Sequence, residues 1–287
     1  CRWQICWVER SMYGSQFELR GLWDALHSYR GKMIDAELLQ PWLVGHREEA
    51  AWFKAFGART GHPVPNVGNE DLCRLYAFGR CIEVLMMGFQ PGGRGQGDWS
   101  GPPIELDEFV AFAAAFGIRA VEQPKYSPFH HELVEVLQSR DESTPPRLLR
   151  TRWPCLMLGP MMFIRAGVTV DAGRCAMVAG AADLSRLYWA HRRRYRPTFD
   201  MSDGWGSNSQ WRTEMRRDYE FADALYFNVD GRVDLSKVPR DHQEDWLPTV
   251  PERYELLMNR CFVSRPDGKV LEHPFDDMLR LEKIDDG

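Results

Sequence analysis

The sequence predicts an α+β protein, on three observations. In the N-terminal half, apolar residues recur at three- and four-residue steps: Leu19, Leu22, Trp23, Leu26 and Tyr29, and later Phe109, Phe112, Ala113 and Phe116. The C-terminal half carries short apolar runs punctuated by glycine and proline. No internal repeat or low-complexity tract runs through the chain. The expected arrangement is mixed helices in the N-terminal half, then antiparallel strands and hairpins with packed helices in the C-terminal half.

The elements follow in order. Trp3, Ile5 and Trp7 alternate as in a short strand, with a turn around Gly14. A helix over Leu19–Tyr29 ends at Gly31. Asp35 caps a second helical segment that Pro41 breaks, and a third runs over Arg47–Phe56 and stops at Gly57. Gly61–Asn66 is a loop by its breakers. Asp71–Phe78 is helical, and the dense apolar run Cys81–Phe89 predicts a buried strand. Gln90–Pro103, with five glycines and three prolines, is the best candidate for a flap or a joint between subdomains. Leu106–Phe116 is a helix and Ile118–Glu122 a strand.

Ser139–Pro146 is polar and proline-bearing. It is a candidate boundary: the chain reads as a single globular unit over 1–287, with two packed subdomains, 1–140 and 147–287, as the alternative. Beyond it come strands at Cys155–Leu158, Met162–Arg165 and Val168–Val170, then a helix over Asp183–Tyr195. Ala224–Val229 is a strand entering the turn Asp230-Gly231. Thr249 and Glu252 have capping-box spacing and open a helix to Asn259. Cys261–Ser264 and Lys269–Glu272 around Asp267-Gly268 predict a hairpin.

With 44% hydrophobic and 27% charged residues, the chain has the material for a substantial core. Eleven tryptophans fit a dense core, an aromatic cleft or a recognition surface. A net charge of −5 argues against non-specific binding to DNA or RNA, which needs a broad positive field. The longest apolar-looking region, Trp153–Ile164, is interrupted by Pro154, Gly159 and Pro160, so no membrane span is expected. The seven scattered cysteines form no C-x-x-C pair; small buried thiols in a reducing cytoplasm are the expectation. Cys1 opens the chain in place of Met. Its neighbours suggest a strand rather than a lipoprotein tether and supply no general base, so a trimmed start is expected.

The most informative stretch runs from about Arg192 to Tyr219. Glycines at 204 and 206 loosen the backbone, while Ser207, Asn208 and Gln210 supply donors and acceptors framed by Trp205 and Trp211. Arg212, Arg216 and Arg217 add planar donors suited to a carboxylate, a phosphate or an acidic protein surface. These eight residues form the candidate ligand-binding site. The same composition also serves an ordinary loop, and Arg192–Arg194 at a helix C-terminus would complement the helix dipole.

His130, Glu132 and His273 are the candidate acid/base residues. Geometry restricts a metal reading of Phe129–Glu135. In a helix His131 and Glu135 share a face and could share an ion, whereas in a strand His130 and Glu132 face one side and His131 and Glu135 lie roughly 13 Å apart. Only two ligands are local either way, so a third must come from elsewhere, such as His191 or His273. No H-E-x-x-H, Walker or dinucleotide pattern is present, so no metal or cofactor is assigned. Two functions follow. The first is a cytoplasmic recognition protein that binds a protein partner or an anionic small ligand through the Trp/Arg-rich loop. The alternative is a hydrolase or transferase acting on a phosphorylated or carboxylated substrate. Nucleic-acid binding through the arginines is a weaker third.

Overall fold

The computed structural model describes residues 18–92, 99–199, 215–244, 247–265 and 276–283. Leu19, Leu22 and Leu26 are fully buried on one face of helix α1 (residues 18–28), as their spacing predicts. A π-turn at Asp35–Leu39 leads into α2 (Gln40–Gly45). Pro41 begins α2 rather than breaking a helix, because the first turn has no use for the missing N–H. α3 (Arg47–Gly57) buries Phe53 and Phe56. α5 (Leu106–Ala115) buries Phe109, Phe112 and Ala113.

The expected strand at Cys81–Phe89 is instead the C-terminal half of α4 (Asn69–Leu85) and a 3₁₀ turn at Met86–Phe89. Every residue from Arg80 to Met87 is buried. A helix enclosed on all sides shows no 3.6-residue periodicity, so a strand and a buried helix look alike there.

Twelve strands follow among the described residues: β1 Ile118–Val121, β2 His131–Gln138, β3 Arg147–Trp153, β4 Cys155–Leu158, β5 Met161–Ile164, β6 Ala166–Ala172, β7 Leu187–Tyr188, β8 Thr198–Phe199, β9 Tyr219–Glu220, β10 Ala224–Phe227, β11 Val233–Asp234 and β12 Asp277–Glu282. One sheet has the order β1-β4-β5-β9-β10-β12-β11 and is antiparallel except for β11–β12. A second runs β2-β6-β3, and β7 pairs β8 in parallel. The chain is therefore α+β, with mostly antiparallel sheets. Strands from either side of Ser139–Pro146 share both larger sheets, β1 with β4 and β2 with β6.

The seven-stranded sheet separates two cores. On β4, Leu156 and Leu158 join the phenylalanines of α3, α4 and α5, whereas Cys155 and Met157 join Phe129, Val168 and Phe227 on the other side. That alternation is the two-residue period of a strand buried on both faces. α7 (Val250–Asn259) closes the second core with Val250 and Leu257. Its N-terminus is capped as predicted, Thr249 N–H donating to the Glu252 carboxylate at 2.8 Å.

Two further expectations give way. The helix over Asp183–Tyr195 is only α6 (Ala181–Leu184), after which the chain enters β7 and an irregular run to β8. Tertiary bonds take the backbone donors: His191 N–H binds Glu83 at 2.8 Å and Arg194 N–H binds the Gln90 side chain at 2.8 Å. Residues 261–264 form no strand, because the Val263 and Ser264 amides both donate to Glu255. The intended partner strand, 269–272, lies outside the described residues, as do the expected strand at 3–7 and the turn at Gly14. Among the described residues no helix is long and apolar enough to cross a membrane.

Gly159, at φ +58 in the β4–β5 turn, touches the end of α3 so closely that a Cβ would stand 1.9 Å from the Gly57 carbonyl oxygen. Gly159→Ala is therefore expected to cost more than about 2 kcal/mol, measured as a fall in the urea midpoint at unchanged slope.

Candidate anion-binding site

Strand β5 is apolar until it ends, and the next residue is Arg165. Its carbonyl is fixed by the Trp153 indole N–H at 2.8 Å, and its side chain is only 2% exposed. From there it enters a cavity of about 60 Å³, enough for a few water-sized groups. The cavity lies between one face of α4 (Tyr76, Gly79, Arg80, Glu83), the end of β5 (Phe163, Ile164) and the irregular run after β7 (Trp189, His191, Arg193). Glu132, Met215, Arg216 and Arg260 complete the lining.

Two charged clusters meet there. The first is closed. Arg193 makes a two-pronged bond to Glu132, at 2.6 and 2.9 Å, and reaches Glu83 at 2.9 Å. The Tyr195 hydroxyl also donates to Glu132. Burial alone would raise the Glu132 carboxyl, but the Arg193 guanidinium overrides it and brings the group down to about 2.

The second cluster is open. Asp218, fully buried, accepts from Arg216 Nε at 2.8 Å, Arg260 Nη2 at 2.9 Å and the Asn228 amide at 2.7 Å. Burial opposes its charge, yet the surrounding guanidiniums hold the carboxyl well below the usual range. Arg165 approaches Asp218 only to 3.6 Å, and none of its three guanidinium nitrogens has a hydrogen-bond acceptor. Arg216 Nη1 and Arg260 Nε lack one too. Burial, then the like charge of Arg260, pulls Arg165 down to about 9. Burial also draws Arg216 down to about 10, against the pull of Asp218.

The backbone around this cluster is strained. Trp189, Asn228 and Arg260 have φ of 54°, 49° and 59°, the only non-glycine residues with positive φ among those described. Such conformations cost roughly 1–3 kcal/mol each and persist where surrounding contacts over-determine them. Here they place the Trp189 ring under the Arg216 guanidinium at 4.5 Å and let Asn228 N–H meet Asp218.

Of the predicted ligand-binding residues, the structure describes Arg216 and Arg217. Arg216 lines the cavity. Arg217 does not: it is held by Asp230, at 2.5 and 2.8 Å, and by the Pro65 carbonyl. Trp205, Ser207, Asn208, Gln210, Trp211 and Arg212 lie outside the described residues, as does His273. Glu132 lines the cavity, fully engaged and ionised. His130 is buried beside it in sequence, bonded to Glu220 at 3.0 Å and to Ser127 Oγ at 3.1 Å. The Ser127 contact is a local bond within the turn before β2, of the kind that satisfies turns.

Sequence reasoning missed Arg165, Arg260 and the α4 face. The available signal was a charge inside an apolar run: Arg165 closing Met161–Ile164, and Glu83 within Cys81–Phe89. Among the described residues no three His, Cys, Asp or Glu side chains stand close enough to hold a metal ion.

Two outcomes are expected. Asp218→Asn leaves three cations around a neutral group and should lower stability by about 3–5 kcal/mol, read from chemical denaturation. His131 accepts the Ser127 amide at Nδ1, so it is neutral when folded. Burial, then the neighbouring His130, pulls it from 6.5 down to about 4. The unfolded chain thus binds the proton first, and stability drains away as the pH falls from 6.5 towards 4. His27, also lowered by burial, acts in the same sense. The slope of unfolding free energy against pH should be visibly flatter in His131→Gln.

Comparison with protein-family models, with curated proteins and with solved structures returns no match.

Proposed function

We propose that this chain is a recognition protein whose ligand is a small molecule bearing an anionic group, received by Arg165, Arg216 and Arg260. One observation carries the reading: Arg165 is buried, charged and without a hydrogen bond. Burying a cation in that condition costs several kcal/mol, and a fold gains nothing from it on its own account. The cost is intelligible where an external acceptor completes the set.

A recessed site of this volume favours a small ligand over a protein surface. Arg165 and Arg216 are 2% and 1% exposed and cannot reach across a flat interface. The half-buried Tyr76, Trp189, Met215 and Arg260 supply an aromatic and apolar mouth for the rest of the ligand. Cys81, Cys155 and Cys261 are packed as small buried hydrophobes, which supports the reading of a reducing, cytoplasmic setting.

Replacement of Arg165 by Met tests the reading. Removing an unsatisfied buried cation should leave the free protein as stable as before, or more stable by about 1–4 kcal/mol. The same change should abolish the thermal stabilisation that a bound anion gives the wild type. A loss of about 3–5 kcal/mol in the free Arg165→Met protein would mark Arg165 as half of a structural ion pair and overturn the proposal.

A further inference from the structure

Resting on that reading, we propose that the anionic group is a doubly charged tetrahedral oxyanion, specifically a phosphate monoester, and not a monocarboxylate or a phosphodiester.

Charge comes first. Arg165, Arg216 and Arg260 surround a single carboxylate, Asp218, which leaves an excess of two positive charges in a buried space. The neighbouring Arg193, Glu132 and Glu83 together carry one negative charge, and Arg80, which also lines the cavity, carries one positive charge, so that excess is unchanged. A phosphate monoester near neutral pH brings a charge of about −1.5 to −2 and three terminal oxygens. A monocarboxylate or a phosphodiester brings one charge and two such oxygens, leaving a cation uncompensated in a low-dielectric pocket.

The donor count agrees. Five guanidinium nitrogens lack acceptors: Arg165 Nε, Nη1 and Nη2, Arg216 Nη1 and Arg260 Nε. They come from three side chains that converge on Asp218. Two coplanar carboxylate oxygens suit one guanidinium fork. Three oxygens in a tetrahedral group suit several forks at once. Size sets the remaining limit. At about 60 Å³ the cavity takes a headgroup of a few heavy atoms, and the body of the ligand must lie towards Trp189, Tyr76 and Met215. An aromatic or alkyl phosphate monoester has that shape.

Isothermal titration at fixed ionic strength, with phenyl phosphate, methyl phenyl phosphate and benzoate as probes, separates the possibilities. Phenyl phosphate should bind at least about tenfold more tightly than either singly charged probe, a difference of about 1.4 kcal/mol. Arg165→Met and, independently, Arg260→Met should each weaken phenyl phosphate by about tenfold or more; far-ultraviolet circular dichroism would confirm that both variants are folded. Benzoate or the diester binding as well as phenyl phosphate, with the same loss in the variants, would overturn the dianion assignment and leave the anion pocket standing. Absence of binding by all three probes, or binding unchanged in both variants, would overturn the pocket along with it.

Discussion

Asp218 is the group on which the architecture of the site depends. It sits one residue before β9, fully buried, and its carbonyl receives the Met162 amide of β5. Its carboxylate joins Arg216 beside it, Arg260 at the end of α7 and the Asn228 amide after β10. Sheet, C-terminal helix and the start of the cavity are thus tied through one charge. The ends of these elements are short of backbone partners, and the carboxylate with its arginines supplies them: Arg216 caps the Leu257 carbonyl, and the Arg260 carbonyl accepts the Tyr188 amide.

One carboxylate can hold three cations in place without neutralising them. The Glu132–Arg193–Glu83 cluster a short way along the same cavity shows what a self-sufficient arrangement looks like. There the carboxylates outnumber the guanidinium, and Tyr195 and the His191 amide take up further acceptor capacity. Both clusters use the same residue types at similar burial. The difference is stoichiometric, and it divides the cavity lining into a part whose charges are matched and a part in which nitrogens of Arg165, Arg216 and Arg260 lack acceptors.

Much of the fold was legible because its helices and strands are amphipathic. α1 and α5 expose one side to water, so their stripes appear in the sequence, and the α7 cap depends on two side chains three residues apart. Legibility failed where both sides are buried, as in α4, and where distant side chains claim backbone donors, as between Tyr188 and Pro197. The site divides in the same way. Arg216 belongs to a visibly polar segment. Arg165 stands alone among apolar neighbours and Arg260 follows Asn259 at a helix end, and they are brought to Asp218 only by pairing of β5 with β9 and by the turn after α7. Arg216 and Arg217 look equivalent in sequence, yet one enters the cavity and the other is taken up by Asp230.

The strained backbone bears on how such a site works. Trp189, Asn228 and Arg260 each hold a positive φ that an L-residue ordinarily avoids, and each contributes directly to the setting of the three arginines. The Trp189 ring lies against Arg216, while its carbonyl receives Arg260 at 3.4 Å. Long arginine side chains lose considerable freedom when they close on a ligand, and that loss subtracts from affinity. Here the freedom is already gone, removed by buried packing, an aromatic ring and one shared carboxylate while the fold forms. On the proposed reading, a cation set fixed in advance gives up little on meeting an anion, so conformational cost that belongs to binding in a flexible site would belong to folding in this one.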